Sequence, residues 1–174
     1  MLEALISSKT RIKLLLRLFL NPESKSYLRA LASECDESTN AVRIELNRFE
    51  EAGMLDSEMI GNKKYYKANK KFSLYNEVRS ILLKQTGLNE ILDHVIHELG
   101  NLKKVYLTGE LARGKQSNIV SLVLIGDPDR LFLSELTAKA ERLIEKKIQY
   151  LCYSEEEAQF LDFENEKYLL LWNE

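Results

Sequence analysis

Apolar positions in the first half of this chain recur with two different periods, and the change of period separates the elements. From Ser8 to Leu20 the run SKTRIKLLLRLFL reads as an amphipathic helix, its apolar stretch LLLRLFL following Lys9, Arg11 and Lys13 and interrupted by Arg17. Ser26, a good N-cap, predicts a second helix over YLRALASEC with Leu28, Leu31 and Ala32 on one face, ended by Asp36 and Glu37. Ser38 or Thr39 caps a third helix, in which Val42, Leu46 and Phe49 fall at i, i+4 and i+7 and Gly53 is the C′ residue. The period then drops to two. MLDSEMI, the turn pair Gly61-Asn62 and KKYYKAN predict a β-hairpin, with Leu55 and then Met59 or Ile60 toward the core and one of Tyr65 and Tyr66 packed inward.

With the buried stripe of the third helix assigned, its outer face is left with Thr39, Asn40, Arg43, Ile44, Asn47 and Arg48. The order over residues 26 to 67, two short helices, a tight turn and a basic hairpin, resembles a winged helix-turn-helix. Residues 8 to 69 are similar to bacterial repressors of the ArsR-like and MarR-like kind, which place a small polar residue at the start of the recognition helix and a stretch like EEAGML before the wing. The resemblance implies double-stranded DNA as partner and a homodimer, and it selects no effector. Arg43 and Asn47 are expected near base edges, because both side chains pair bidentately with bases in the major groove. Thr39, Asn40 and Arg48 are expected near bases or phosphates, and Asn62, Lys63, Lys64 and Lys67 near the flanking backbone. The plainer alternative is a small helical domain with an ordinary hairpin whose basic residues are a solvated face. Cys35 stands alone in this region, so no ArsR-type metal site is expected.

Beyond the hairpin the pattern is helical again. Ser73 is placed to cap a helix carrying Leu74, Val78, Ile81 and Leu82; after a break at Thr86-Gly87 a second carries Leu88, Ile91, Leu92, Val95, Ile96 and Leu99 to Gly100. By resemblance this segment and residues 8 to 20 are candidates for a dimer seam. An equal alternative is that both helices only cover the sheet that follows.

From Lys103 the pattern is α/β: strands KKVYLTG and IVSLVLIG, an amphipathic helix over 133–146, strand KIQYLCYS, a short helix SEEEAQFL with a capping box at Ser154 and Glu157, and strand KYLLLWN. Within it, GELARGKQSNIVSLVLIG resembles the signature of polymerase-β-like nucleotidyltransferases, which runs Gly-Ser, small-Arg-Gly, then a strand bearing two carboxylates one residue apart. Such a pair holds two Mg²⁺ ions about 4 Å apart for phosphoryl transfer. Gly109, Ala112, Arg113 and Gly114 keep the pattern, but Glu110 replaces the serine, and Ile119 and Ser121 occupy the carboxylate positions. The third carboxylate is missing from residues 148 to 153, and Asp127 and Asp129 read as turn residues around Pro128. The resemblance therefore implies a degenerate domain with no catalytic residues, metal or cofactor. Gly109, Arg113, Gly114 and Lys115 are a candidate phosphate cradle for a nucleotide effector. The preferred alternative is that the glycines serve a turn and Arg113 pairs with a carboxylate. His94 and His97 share a helix face but lack further ligands.

Charge separates the two halves. Residues 1 to 86 hold 15 Lys and Arg against 11 Asp and Glu, residues 87 to 174 hold 10 against 16, so a net of −2 conceals +4 and −6. A basic half suits a polyanion, and an acidic half suits dimerisation, effector binding or protein contact. No apolar run approaches the roughly 20 residues that span a bilayer, and LLLRLFL lacks a cleavage-site pattern, so neither a membrane span nor a signal peptide is expected. Two distant cysteines favour a reducing, cytoplasmic setting.

The expectation is thus an α+β chain: a winged helix-turn-helix over 1–72, a helical connector over 73–100, and a degenerate nucleotidyltransferase-like α/β domain with a mixed sheet over 101–174. Its expected function is sequence-specific DNA-binding transcription regulation. The alternatives are an active nucleotidyltransferase and a protein-docking winged helix.

Overall fold

The computed structural model describes residues 4, 6–113, 115–161 and 168–174. They form a mixed α+β structure with two sheets, in two compact units: Met1–Gln85 with Arg113–Lys115, and Thr86–Ala112 with Gln116–Glu174. No described helix is long and apolar enough to cross a membrane.

In unit 1, helix α1 (Lys9–Phe19) is central. Ile12, Leu14, Leu15, Leu16, Leu18 and Phe19 are all buried, which is why Arg17 is buried among them. Its N-cap is Ser8, whose hydroxyl accepts from the Arg11 amide. Ser26 is not a cap: Ser26–Tyr27 is a two-residue strand β1, and α2 (Leu28–Cys35) starts one residue later without a side-chain cap. The backbone of Ser26 is taken up by strand pairing with Tyr66, and that tertiary ladder overrides the local capping preference. Helix α3 (Thr39–Glu51) is capped by Ser38 and buries Val42, Leu46 and Phe49 as the spacing predicts, together with Glu45, which it does not.

The hairpin consists of β2 (Leu55–Ile60) and β3 (Lys63–Ala68), joined at Gly61-Asn62, and the sheet order is β1-β3-β2, antiparallel throughout. Leu55, Tyr66 and Ala68 are buried and Tyr65 is half-buried. Met59 and Ile60 are 66% and 42% exposed, contrary to expectation. The hairpin outruns the helices beneath it, so its tip has no core to enter. Helix α4 (Tyr75–Thr86) begins after the expected Ser73 cap and buries Tyr75, Leu82 and Leu83, while Leu74 and Ile81 stay largely exposed. Stacking of Tyr75 on Phe19, with centroids 5.7 Å apart, sets which face turns inward.

Unit 2 is built on a four-stranded mixed sheet of order β6-β5-β4-β7, from β4 (Leu102–Thr108), β5 (Ile119–Gly126), β6 (Lys147–Tyr153) and β7 (Leu169–Asn173). β5 and β6 are parallel, joined through helix α7 (Arg130–Ile144); the other pairings are antiparallel. Register places Leu107, Leu122 and Tyr150 in one row and Val105, Leu124 and Cys152 in the next, giving one apolar sheet face. A short helix α5 (Leu88–Ile91) runs into a π-helical turn (Leu92–Ile96), which packs on α7 and β7. Leu88, Ile91, Val95 and Ile96 are all 2% exposed or less, so this face is occupied by unit 2's own core. Two glycines fix the connections. Gly87 (φ +81) makes the predicted break against Ile144, and Gly126 (φ +138) lets the Asn101 carbonyl approach to 2.2 Å from where a Cβ would stand. Between β4 and β5 lies the single turn α6 (Gly109–Ala112), and after β6 comes α8 (Glu155–Ala158) with the expected Ser154/Glu157 capping box.

Candidate nucleic-acid interface

The outer face of α3 is set by what holds the inner one. Glu45 is 5% exposed and accepts from Arg11 Nε at 2.8 Å, Arg11 Nη2 at 3.4 Å, Ser8 Oγ at 3.0 Å and Arg48 Nη1 at 3.4 Å. Burial alone would raise this carboxyl, and the hydrogen bonds from Arg11 and Ser8 outweigh it, so Glu45 titrates below the ordinary range. The network ties the middle of α3 to the start of α1 and fixes the rotation of α3 about its axis. Two further ion pairs hold α1 to its neighbours. Lys13 Nζ donates to Glu37 at 2.6 Å and to the Cys35 carbonyl at 2.9 Å, and Arg17 Nε donates to Glu34 at 2.6 Å with Nη1 on Ser24 Oγ at 3.2 Å.

Thr39, Asn40, Arg43, Ile44, Asn47 and Arg48 are thereby left exposed on one face. Thr39, Asn40, Arg43 and Asn47 have no side-chain hydrogen bond or ion pair among the described residues. Arg48, its side chain 58% exposed, shares Glu45 with Arg11. No acidic residue stands in the first turn of α3, where the helix dipole presents its positive end.

The hairpin divides its predicted contacts between two faces. Register puts Lys63, Tyr65 and Lys67 on the face away from the helices with Asp56, Glu58 and Ile60, and Lys64 on the other with Ser57 and Met59. Lys64 is drawn to α3, its Nζ 2.7 Å from Glu50, which also accepts from Ser57. These bonds, that from Lys64 first, hold the Glu50 carboxyl below its ordinary value. Lys63 Nζ lies 4.3 Å from the centroid of Tyr27, whose ring meets Tyr65 edge-on. Lys67 and Asn62 are exposed. Lys25 pairs with Glu58, and Lys70 with Glu23.

Sequence reasoning missed the destination of the basic residues. Arg11, Lys13 and Arg17 look like free charge along a helix but close tertiary ion pairs. A clue was available: a helix leucine-rich on almost every side has no wholly solvated face, so its cations need partners.

In unit 2, Ile119 and Ser121 share one face of β5; Ile119 is 41% exposed and Ser121 half-buried. Gly109 packs against Ser121, where a Cβ would stand 3.3 Å from the hydroxyl oxygen. Arg113 and Lys115, which belong to unit 1, both have interaction partners, and Gly114 lies outside the described residues. Asp129 is not a plain turn residue. It caps α7, accepting from the Leu131 amide at 2.9 Å and the Phe132 amide at 3.1 Å, so the helix starts earlier than the expected residue 133. His94 lies 3.3 Å from Glu90 and His97 3.9 Å from Asp93, and no cluster of three or more metal-binding side chains occurs among the described residues. Burial raises the Cys35 thiol to about 11, which disfavours the thiolate.

Comparison with known families, with characterised proteins and with solved structures finds no match to this chain.

Proposed function

We propose that the chain is a sequence-specific DNA-binding transcription regulator that works as a homodimer in the cytoplasm, with unit 1 as a winged helix-turn-helix and unit 2 as a nucleotidyltransferase-like domain turned to dimerisation or effector sensing. The observation that carries this reading is the outer face of α3. Thr39, Asn40, Arg43 and Asn47 stand exposed and unpaired on one side of a capped helix, while Arg11 and Arg17 turn inward to Glu45 and Glu34. A helix of this diameter fits the major groove, with Arg43 and Asn47 reading base edges and Thr39 and Asn40 at the helix start near phosphate. Lys63, Lys67 and Asn62 on the exposed hairpin supply backbone contacts, and Lys64 does so less, being engaged with Glu50.

Unit 2 is read as non-catalytic because Ile119 and Ser121 offer no carboxylates for the metal ions of nucleotidyl transfer. Nucleotide turnover with Mg²⁺ or Mn²⁺ would overturn that part.

The test of the DNA reading is fluorescence anisotropy on a selected DNA site. Arg43→Ala and Asn47→Ala should each weaken specific binding by about 1–3 kcal/mol and leave non-specific affinity less changed. An unchanged affinity in the double variant would remove α3 from the interface. A second reading, docking to another protein, is favoured by exposed Ile60 on the same hairpin face as the carboxylates Asp56 and Glu58, and by exposed Ile44 on α3 and Met59 on the opposite hairpin face. It predicts no salt-dependent DNA affinity.

A further inference from the structure

Unit 1 contains an apolar groove of about 470 Å³, lined by Leu15 of α1, Phe49 of α3, and Val78 and Ile81 of α4 among others. That volume lies within the range of small-molecule clefts, roughly 300–1,000 Å³. Arg11 and Arg48 are the charged residues lining it, and no carboxylate lines it among the described residues. Both guanidinium groups share the single carboxylate of Glu45, so two positive charges meet one negative charge and one positive charge remains uncompensated. Arg48 keeps a side chain 58% exposed and Arg11 one 33% exposed, leaving N–H donors available to a further acceptor.

The geometry points to a binding site for an amphipathic monocarboxylate, its hydrocarbon body in the groove and its carboxylate on Arg48 and Arg11. The apolar walls exclude a polar metabolite, because its hydroxyls would be desolvated without partners. The single surplus charge suits one carboxylate, and a cationic amphiphile would meet two guanidinium groups. The site stands on the groove itself and does not depend on α3 reading DNA, although a ligand there touches two residues of α3, Arg48 and Phe49.

Calorimetric titration of the full chain with decanoate, 1-decanol and decyltrimethylammonium tests this. Decanoate should bind one per chain, with decanol weaker by about tenfold, the loss expected for a charge-assisted hydrogen bond, and the cation not bound. Arg48→Gln should weaken decanoate by a similar factor and leave decanol unchanged. Ile81→Glu, at a position 45% exposed and so tolerant of a polar side chain, should abolish decanoate binding with the circular dichroism spectrum retained. Equal affinity for decanoate and decanol, or decanoate binding that survives Ile81→Glu, would overturn the proposal. So would a dimer that Ile81→Glu dissociates, with no decanoate bound to the wild-type chain, since the groove would then be covered by a second copy.

Discussion

Replacing Arg17 alone should damage unit 1 far more than replacing Arg17 together with its partner. The Arg17 side chain is 8% exposed and that of Glu34 14%, and Nε stands 2.6 Å from the carboxylate. Arg17→Met keeps most of the buried hydrocarbon but leaves Glu34 mostly desolvated without its cation, and breaking a buried pair in this way costs about 3–5 kcal/mol. Glu34 retains another interaction and some access to water, which favours the lower end, about 3 kcal/mol. In the double variant Arg17→Met/Glu34→Leu no charge is stranded, so the loss should stay within about 1 kcal/mol. Urea unfolding followed by far-UV circular dichroism reads the difference. With a slope of about 1.5 kcal/mol per molar, the single variant's midpoint falls by about 2 M and the double variant's by less than about 1 M. Trp172, the chain's single tryptophan, lies on β7 and reports unit 2, which separates the two transitions. Equal midpoints for the single and double variants would refute the reasoning, because the pair would then contribute through packing and not through charge.

Other consequences follow from the same contacts. The Glu45 carboxyl is depressed below its ordinary value of 4.5, so its contribution is fully present above that pH and is lost as pH falls through the lower folded value. The stability gap between the wild-type chain and Glu45→Gln should therefore be constant above about pH 5.5 and narrow below pH 4.5 in acid titrations followed by circular dichroism; a gap that widens on acidification would contradict the network described. Gly126→Ala meets both a positive φ and the Asn101 carbonyl, and should destabilise unit 2 by about 3 kcal/mol, read from Trp172 fluorescence during unfolding.

Local signals were legible where a single element decides the outcome. Val42, Leu46 and Phe49 repeat at a period that only one helix face satisfies, Ser38 caps its own helix, and Ser154 and Glu157 close a box within four residues. The hairpin register followed from the two-residue turn at Gly61-Asn62. Where a distant partner decides, the sequence was misleading. Ser26 has a cap's chemistry but pairs with Tyr66 forty residues on. Met59 and Ile60 are apolar yet project beyond the core, and Leu74 and Ile81 are turned outward because Tyr75 stacks on Phe19. The candidate interface was half legible in the same sense. Thr39, Asn40, Arg43 and Asn47 could be assigned outward by elimination, but the pairing of buried Glu45 with Arg11 could be recognised only once α1 lay against α3.

The most direct test is selection of fragmented genomic DNA from the chain's own source by the purified protein, with bound fragments sequenced and affinity followed against salt. A DNA-reading α3 predicts enrichment of a short inverted repeat whose half-sites lie about one helical turn apart, with affinity falling steeply as salt rises. Recovery of no enriched sequence, with weak binding indifferent to salt, would contradict it.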